Sequence, residues 1–217
     1  SGGSGQFGEV HITIEPYFDD MPEPQGVNIR NKEIEELPWG GKFAFYWCIV
    51  GGAIDNRYAT AIKKGIMHEM TEGPLTGSNC QNIRVCIYDG KMHAVDSNDI
   101  SFQLAASHAF RMAFNEAKPQ LLEPYYHLEV LCEDNHTGDV MGDLQTRRAI
   151  IQGMDTDGHY QKIIAEVPLA ELKDYGSSLR SLTQGKAKFK LEFSNYQLVP
   201  PHIQENLVIS NASLSEV

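Results

Sequence analysis

The 217-residue sequence predicts an α+β protein of two domains. Three observations predict it. Clear strand and helix patterns alternate through the first half. The second half has its own order of strand, helix, strand, strand, helix, strand. Between them, at Leu121–Pro124, the chain makes a proline-containing break. The length suits two domains of ordinary size.

Glu9 to Glu15 alternates: Val10, Ile12 and Ile14 face one way and Glu9, His11, Thr13 and Glu15 the other. A period of two is the mark of a half-buried strand. Residues 16–41 are rich in Pro, Glu and Gly and read as a long loop, with a short edge pairing at Val27-Asn28-Ile29. Phe43–Val50 is dense in aromatic and β-branched residues, which favour strands, and stops at Gly51-Gly52. Tyr58, Ile62, Ile66 and Met70 then recur every fourth residue, predicting a helix over 58–72 that Gly73-Pro74 ends. Ile83–Tyr88 alternates again as a strand, and Asp89-Gly90 signals a turn. Asp96, Ser97 or Asn98 can cap the next helix. Its stripe is Phe102, Ala106, Ala109, Ala113 and Ala117, flanked by Phe110 and Phe114, and Lys118-Pro119 closes it. Alanines at those positions let a helix lie close to a sheet.

In the second half, Tyr125–Glu133 is a strand and Gly138–Ala149 a helix. Ile150–Met154 and His159–Val167 are strands joined by Asp155-Thr156-Asp157-Gly158. Leu169–Leu182 is helical and Lys186–Leu198 a strand. The order βαββαβ is the split βαβ, or ferredoxin-like, unit. Residues 200–208 form a last short helix, and the tail 210–217 is expected to fray.

Composition narrows the function. Apolar residues make up 41% and charged residues 22%, a soluble globular balance. No apolar run approaches the roughly 20 residues a spanning helix needs, and no signal-peptide pattern is present, so no membrane partner is expected. Cys48, Cys80, Cys86 and Cys132 form no CxxC pair. They read as reduced core thiols in a cytoplasmic protein, with no metal site. The net charge of −11 argues by itself against nucleic-acid binding. The charge is uneven: 3 basic and 8 acidic residues in 1–50, 7 of each in 51–121, and 8 and 14 in 122–217. The neutral middle is the part least hostile to RNA.

Catalytic patterns fail one after another. Gly2-Gly3-Ser4-Gly5-Gln6-Phe7-Gly8 lacks the GxxxxGK[ST] spacing and leads into a strand rather than a helix. His68-Glu69 begins an HExxH motif, but residue 72 is Glu, so both read as a solvated helix face. His108 reads as ordinary surface. No serine or cysteine sits in a GxSxG-like elbow. The chain is therefore expected to carry no catalytic site, cofactor or metal. His93 lies in the turn 90–97 between a strand and a helix, where side chains are exposed; alone, this is a surface histidine. Residues 51–58 also join a strand to a helix. If the two strands are parallel neighbours, both loops fall at one end of the sheet. Otherwise they are two unrelated solvated turns. The tip so formed would carry Gly51, Gly52, Asp55, Asn56, Arg57, Tyr58, Lys91, Met92, His93, Val95, Asp96 and Ser97.

At these residues the sequence resembles elongation factor G over nearly its whole length. Gly5-Gln6-Phe7-Gly8-Glu9-Val10 is similar to the opening of that family's domain IV. Ile49-Val50-Gly51-Gly52-Ala53-Ile54 is similar to its first tip loop, and Gly73-Pro74-Leu75-Thr76-Gly77 to the segment after its first helix. His93-Ala94-Val95-Asp96-Ser97, running into Phe102-Gln103-Leu104-Ala105-Ala106, is similar to the second tip loop and its helix. Leu122-Glu123-Pro124 marks the entry to domain V. Thr137–Leu144 with Arg147-Arg148, and Arg180-Ser181-Leu182-Thr183-Gln184-Gly185, are similar to that domain's signatures.

The resemblance implies domain IV over 1–121, of the ribosomal-protein-S5 type with a left-handed βαβ crossover, an exception to the usual hand. It implies a ferredoxin-like domain V over 122–199 and a helix near 200–210 packing back towards domain IV. It further implies a monomeric piece of a translational GTPase whose GTP and Mg lie in a G domain outside this sequence; the absence of an initiator Met at Ser1 reads the same way. Its partners would be the ribosome, rRNA of both subunits, and tRNA–mRNA in the A site. The tip residues would contact the codon–anticodon duplex, read by shape and backbone. The family's first loop usually continues Pro-x-Glu-Tyr, where this chain has Asp55-Asn56-Arg57-Tyr58. Residues 17–41 are also longer than usual, and Ala149 stands where Gly is common, the marks of a divergent paralogue. Ribosome recycling or ribosomal protection is the alternative within translation. A small acid–base enzyme using His93 with Asp96 or Asp99 is the alternative outside it.

Overall fold

A computed structural model describes residues 5–214 of the chain. Gly2, Gly3 and Ser4 of the opening glycine-rich run, and the last three residues of the tail, lie outside the described residues. The chain divides into two compact units. One holds the residues up to Pro119 together with those from Asn206 onward, and the other is Gln120–Glu205.

The first unit holds a four-stranded sheet of β1 (Glu9–Pro16), β2 (Asn31–Glu36), β3 (Lys42–Trp47) and β4 (Ile83–Lys91), in the order β1-β4-β3-β2. β3 and β4 are parallel neighbours, while β1 runs antiparallel to β4 and β2 antiparallel to β3. Parallel neighbours need a crossover, supplied here by α1 (Ala59–Thr71). α2 (Asp99–Glu116) packs beside α1. Their apolar stripes, Ile62, Ile66 and Met70 with Phe102, Ala106 and Phe110, are wholly buried with Phe43, Val85 and Ile87 of the sheet.

Several expectations over this unit need correction. Val27–Ile29 is not a strand; Val27 and Ile29 pack with Tyr17 against Ala44, Tyr46, Cys48 and Cys86. The edge strand is instead β2, Asn-Lys-Glu-Ile-Glu-Glu, whose charged side chains suit a sheet edge. The strand at 83 does not turn at Asp89-Gly90 but runs on to Lys91. Gly90 marks a close approach, because a Cβ there would overlap the Glu9 carbonyl oxygen and the Ile54 side chain. Glu69 is not on a solvated face. Its side chain is 5% exposed and receives two hydrogen bonds from Arg111 Nη2, both at 3.0 Å, and one from Ser107 Oγ. Ala117 is exposed, because α2 ends at Glu116 and Ala117 is its C-cap.

The second unit holds β5 (Leu122–Glu133), α3 (Thr137–Thr146), β6 (Ile150–Asp157), β7 (Tyr160–Pro168), α4 (Tyr175–Leu182) and β8 (Lys188–Leu198). Its sheet is antiparallel throughout, in the order β6-β7-β5-β8, as a split βαβ unit requires. Leu128, Val130, Cys132, Ile163, Ala165 and Val167 alternate onto one face and bury Val140, Leu144, Tyr175 and Leu179 of the helices. β6 runs on to Asp157 and β7 begins at Tyr160, one residue later than expected, leaving a hairpin loop of Gly158 and His159. The helix expected over 169–182 is broken: a 3-10 turn at Leu169–Leu172 precedes α4, with Asp174 in the left-handed region at φ 58°. Arg148, also left-handed at φ 56°, sends its guanidinium to Glu123 at 2.7 and 2.9 Å and to Glu171 at 2.9 Å. α5 (Pro201–Leu214) is the last described element and continues past the expected helix end at 208.

All four cysteines are free and buried. Burial pushes the Cys48 and Cys80 thiols up to about 11, and it also raises Cys86 and Cys132. Among the described residues no helix is long and apolar enough to cross a membrane, and no cluster of His, Cys, Asp and Glu is placed to hold a metal ion.

Candidate nucleic-acid interface

Because β3 and β4 run in parallel, the loops that leave their C-terminal ends, residues 48–58 and 92–98, emerge at the same end of the sheet. β1 runs the other way, with Glu9 opposite Lys91, so the segment Gly5–Gly8 leading into it lies at that end too. Three stretches of chain therefore meet at one tip.

The first loop is built around two glycines and one anchor. Gly51 and Gly52 have φ of 66° and 71°, a region costly for a side chain, and open space surrounds both. Ile54 is buried and reaches to within contact of Gly90, which pins the loop under the end of β4. Asp55 takes φ −64°, the value a proline would impose, and its carboxylate accepts a hydrogen bond from Arg57 N at 2.9 Å. It thereby starts the 3-10 turn Asn56–Tyr58 that runs into α1.

The second loop is closed by Ser97. The Ser97 hydroxyl accepts from His93 N at 2.8 Å and donates to the Phe7 carbonyl at 2.9 Å; Ser97 N donates to the His93 carbonyl at 3.1 Å. Asn98 caps α2 in a reciprocal box with Ser101, the last of the three caps the sequence allows. Tyr58 joins the two loops: its hydroxyl donates to the Ser97 carbonyl at 3.1 Å and accepts from Arg57 Nη2 at 2.8 Å. The Arg57 guanidinium also lies 4.7 Å from the centre of the Tyr58 ring.

Of the twelve residues expected at the tip, Gly51, Gly52, Asp55, Asn56, Arg57, Lys91, Met92, His93 and Val95 are exposed. Val95 is 82% exposed and the His93 side chain 61%. Asp96 and Ser97 are half-buried. Tyr58 is 4% exposed, so it holds the loops together and offers almost no surface of its own. Charge is mixed. Arg57 and Lys91 stand with Asp55 at 3.8 Å from Arg57, Glu9 at 3.7 Å from Lys91, and Asp96 at 3.6 Å from His93. A charge-mixed, glycine-rich, exposed surface suits contact with a backbone or a shape better than enclosure of a small molecule. The acid–base alternative needs His93 in a concavity, and its exposure speaks against that. Phe7, Ile54 and Asn98 belong to this tip and were not singled out among its residues. The antiparallel pairing of the first and fourth strands, which brings Phe7 here, leaves no trace in sequence periodicity.

Comparison with known proteins gives the class. The model described as elongation factor G, domain IV, matches residues 25–118, and that described as elongation factor G C-terminus matches residues 120–207. Fold and matches together define consecutive domains of an elongation factor. The chain is 40% identical over 209 residues to an elongation factor G-like protein of Thermotoga maritima, which covers 96% of this chain and 28% of that protein. It is 40% identical over 208 residues to elongation factor G of Aquifex pyrophilus, covering 96% of this chain and 27% of that one. A crystal structure of a protein from Thermus thermophilus superposes with a TM-score of 0.69 at 34% identity, over 95% of this chain and 31% of that one. The chain belongs to the elongation factor G family and spans just over a quarter of the length of the two sequence relatives.

Proposed function

We propose that this chain is the ribosome-binding part of a translation elongation factor G, promoting movement of tRNA and mRNA. In this reading residues 1–121 are domain IV and 122–199 domain V. The tip formed by residues 51–58 and 91–97 enters the decoding site of the small subunit and touches the codon–anticodon duplex, while the second domain meets rRNA of the large subunit. The parent is a cytoplasmic GTPase whose nucleotide and Mg lie in a G domain outside this sequence; this chain contributes contact, not chemistry.

The observation that carries the reading is the convergence of the two loops through the hydrogen bond between Tyr58 and Ser97, 39 residues apart in the chain. Together they form an exposed end bearing Gly51, Gly52, Arg57, Lys91 and His93. Any codon must pass such a contact, so recognition by shape and backbone is what the task demands. An acidic protein can do this where its docking end is locally balanced, as this one is. The test is His93→Ala in a full-length factor carrying this segment. Single-round translocation should slow while ribosome-stimulated GTP hydrolysis stays nearly intact; an unchanged translocation rate would sink the reading.

A further inference from the structure

We propose that Phe7 is a positioning residue for His93: it fixes the imidazole at the tip before any RNA arrives. This rests on the tip reading above for its purpose, but its geometry stands separately. The two rings lie with centroids 4.4 Å apart and planes 32° from parallel. That is a close, tilted ring-on-ring contact, within the separation at which aromatic rings attract.

Phe7 is itself held firmly. Its N–H donates to the Asp96 carbonyl at 2.9 Å, and its carbonyl accepts from Ser97 Oγ at 2.9 Å. The Ser101 hydroxyl oxygen lies 2.8 Å from that same carbonyl. Two glycines, Gly8 beside it and Gly5 two residues before, lie close to the same region. A Cβ on Gly8 would come within 3.0 Å of the Ser101 carbonyl oxygen, and one on Gly5 within 3.1 Å of the Asp96 carboxylate. The segment 5–8 is thus laced to the second loop on both sides of Phe7.

His93 is restrained at two levels as a result. Its backbone is tied by Ser97 through both N–H and C=O, and its ring leans on Phe7 with Asp96 Oδ2 3.6 Å from Nδ1 on another side. An exposed side chain normally loses rotamer freedom when it binds. A ring ordered beforehand loses less, so more of the contact energy is retained in the complex. Phe7 therefore acts on RNA contact through His93 without needing to touch RNA.

The test has two arms. In the first, NMR on this chain should show cross-relaxation between the Phe7 and His93 ring protons, and His93 ring resonances displaced upfield by the phenyl face. Phe7→Leu keeps apolar bulk but removes the ring current, so those resonances should return towards free-histidine positions; Phe7→Tyr should keep them displaced. In the second arm, a full-length factor with Phe7→Leu should lose translocation rate by a fold-change approaching that of His93→Ala. The double variant should lose no more than His93→Ala alone. Absent ring-to-ring cross-relaxation in the unmodified chain overturns the positioning role without any substitution, so a poorly folding Leu variant does not spare the idea. Multiplying losses in the double variant would also overturn it. If the NMR arm holds while His93→Ala leaves translocation unchanged, the reading of the tip fails and the ring contact stands.

Discussion

The Tyr58 hydroxyl donates to the Ser97 carbonyl, and this one bond ties the start of α1 to the loop that precedes α2. The Tyr58 ring also lies against the Phe102 ring, with centroids 4.5 Å apart and planes tilted by 31°, so the strut is rooted in the core of the first unit. Tyr58→Phe keeps the ring and deletes the hydroxyl. It should cost about 1 kcal/mol, the net worth of an ordinary hydrogen bond. Urea unfolding gives the loss of stability, and amide shifts confined to residues 92–98 would confirm which loop was released. No change at those amides would refute the strut.

Gly90 and Gly51 should respond differently to the same substitution. Gly90→Ala drives a methyl into the Glu9 carbonyl and Ile54, so it should cost about 2 kcal/mol or more and shift the first loop. Gly51→Ala meets open space and pays only for its left-handed backbone, about 1 kcal/mol. Paired denaturation curves decide; equal losses would mean that packing at Gly90 is looser than described.

The Glu69–Arg111 pair predicts a pH dependence. Burial raises the Glu69 pKa, but hydrogen bonds from Arg111 and Ser107 and the nearby charge outweigh it and hold the carboxyl below its usual range. A lowered native pKa means stability that is fully present above the unfolded value of about 4.3 and lost as pH falls through the native one. Glu69→Gln should cost about 1.5 kcal/mol at neutral pH, the scale of a charged hydrogen bond, moderated because the Arg111 side chain is 58% exposed. The difference from the parent chain should shrink as pH falls below about 4. A gap that persists at pH 2 would contradict the assignment.

Arg148→Lys should destabilise the second unit by about 2 kcal/mol. A lysine cannot reproduce the fork that grips both oxygens of Glu123 while reaching Glu171. Thermal unfolding of the chain, followed by a probe within Gln120–Glu205, reads the loss.

Much of this architecture was legible because burial imposes a period. The βαββαβ order was readable in 125–198, while the shared end of the two loops hung on a condition, parallel neighbouring strands, that β3 and β4 meet. Features without a period were hidden. β2 is an acidic edge strand with no buried face to write a pattern. Gly90 looks like a turn because a glycine for close approach and a glycine for a left-handed turn are the same letter. Glu69 sits on the buried side of α1 only because Arg111, 42 residues away, comes to meet it. Phe7 joins the tip through an antiparallel pairing that spans most of the first unit. Such long-range partners are set by tertiary geometry, which local sequence does not record.

The burial of all four cysteines has a practical consequence for watching the tip move. Thiolates, not thiols, react with maleimide-type dyes, and these thiols are both sequestered and held largely protonated at neutral pH. A single Val95→Cys would place a readily labelled sulfur at a highly exposed position of the second loop. Fluorescence could then follow that point during function in an otherwise unaltered chain, with every native cysteine left in place.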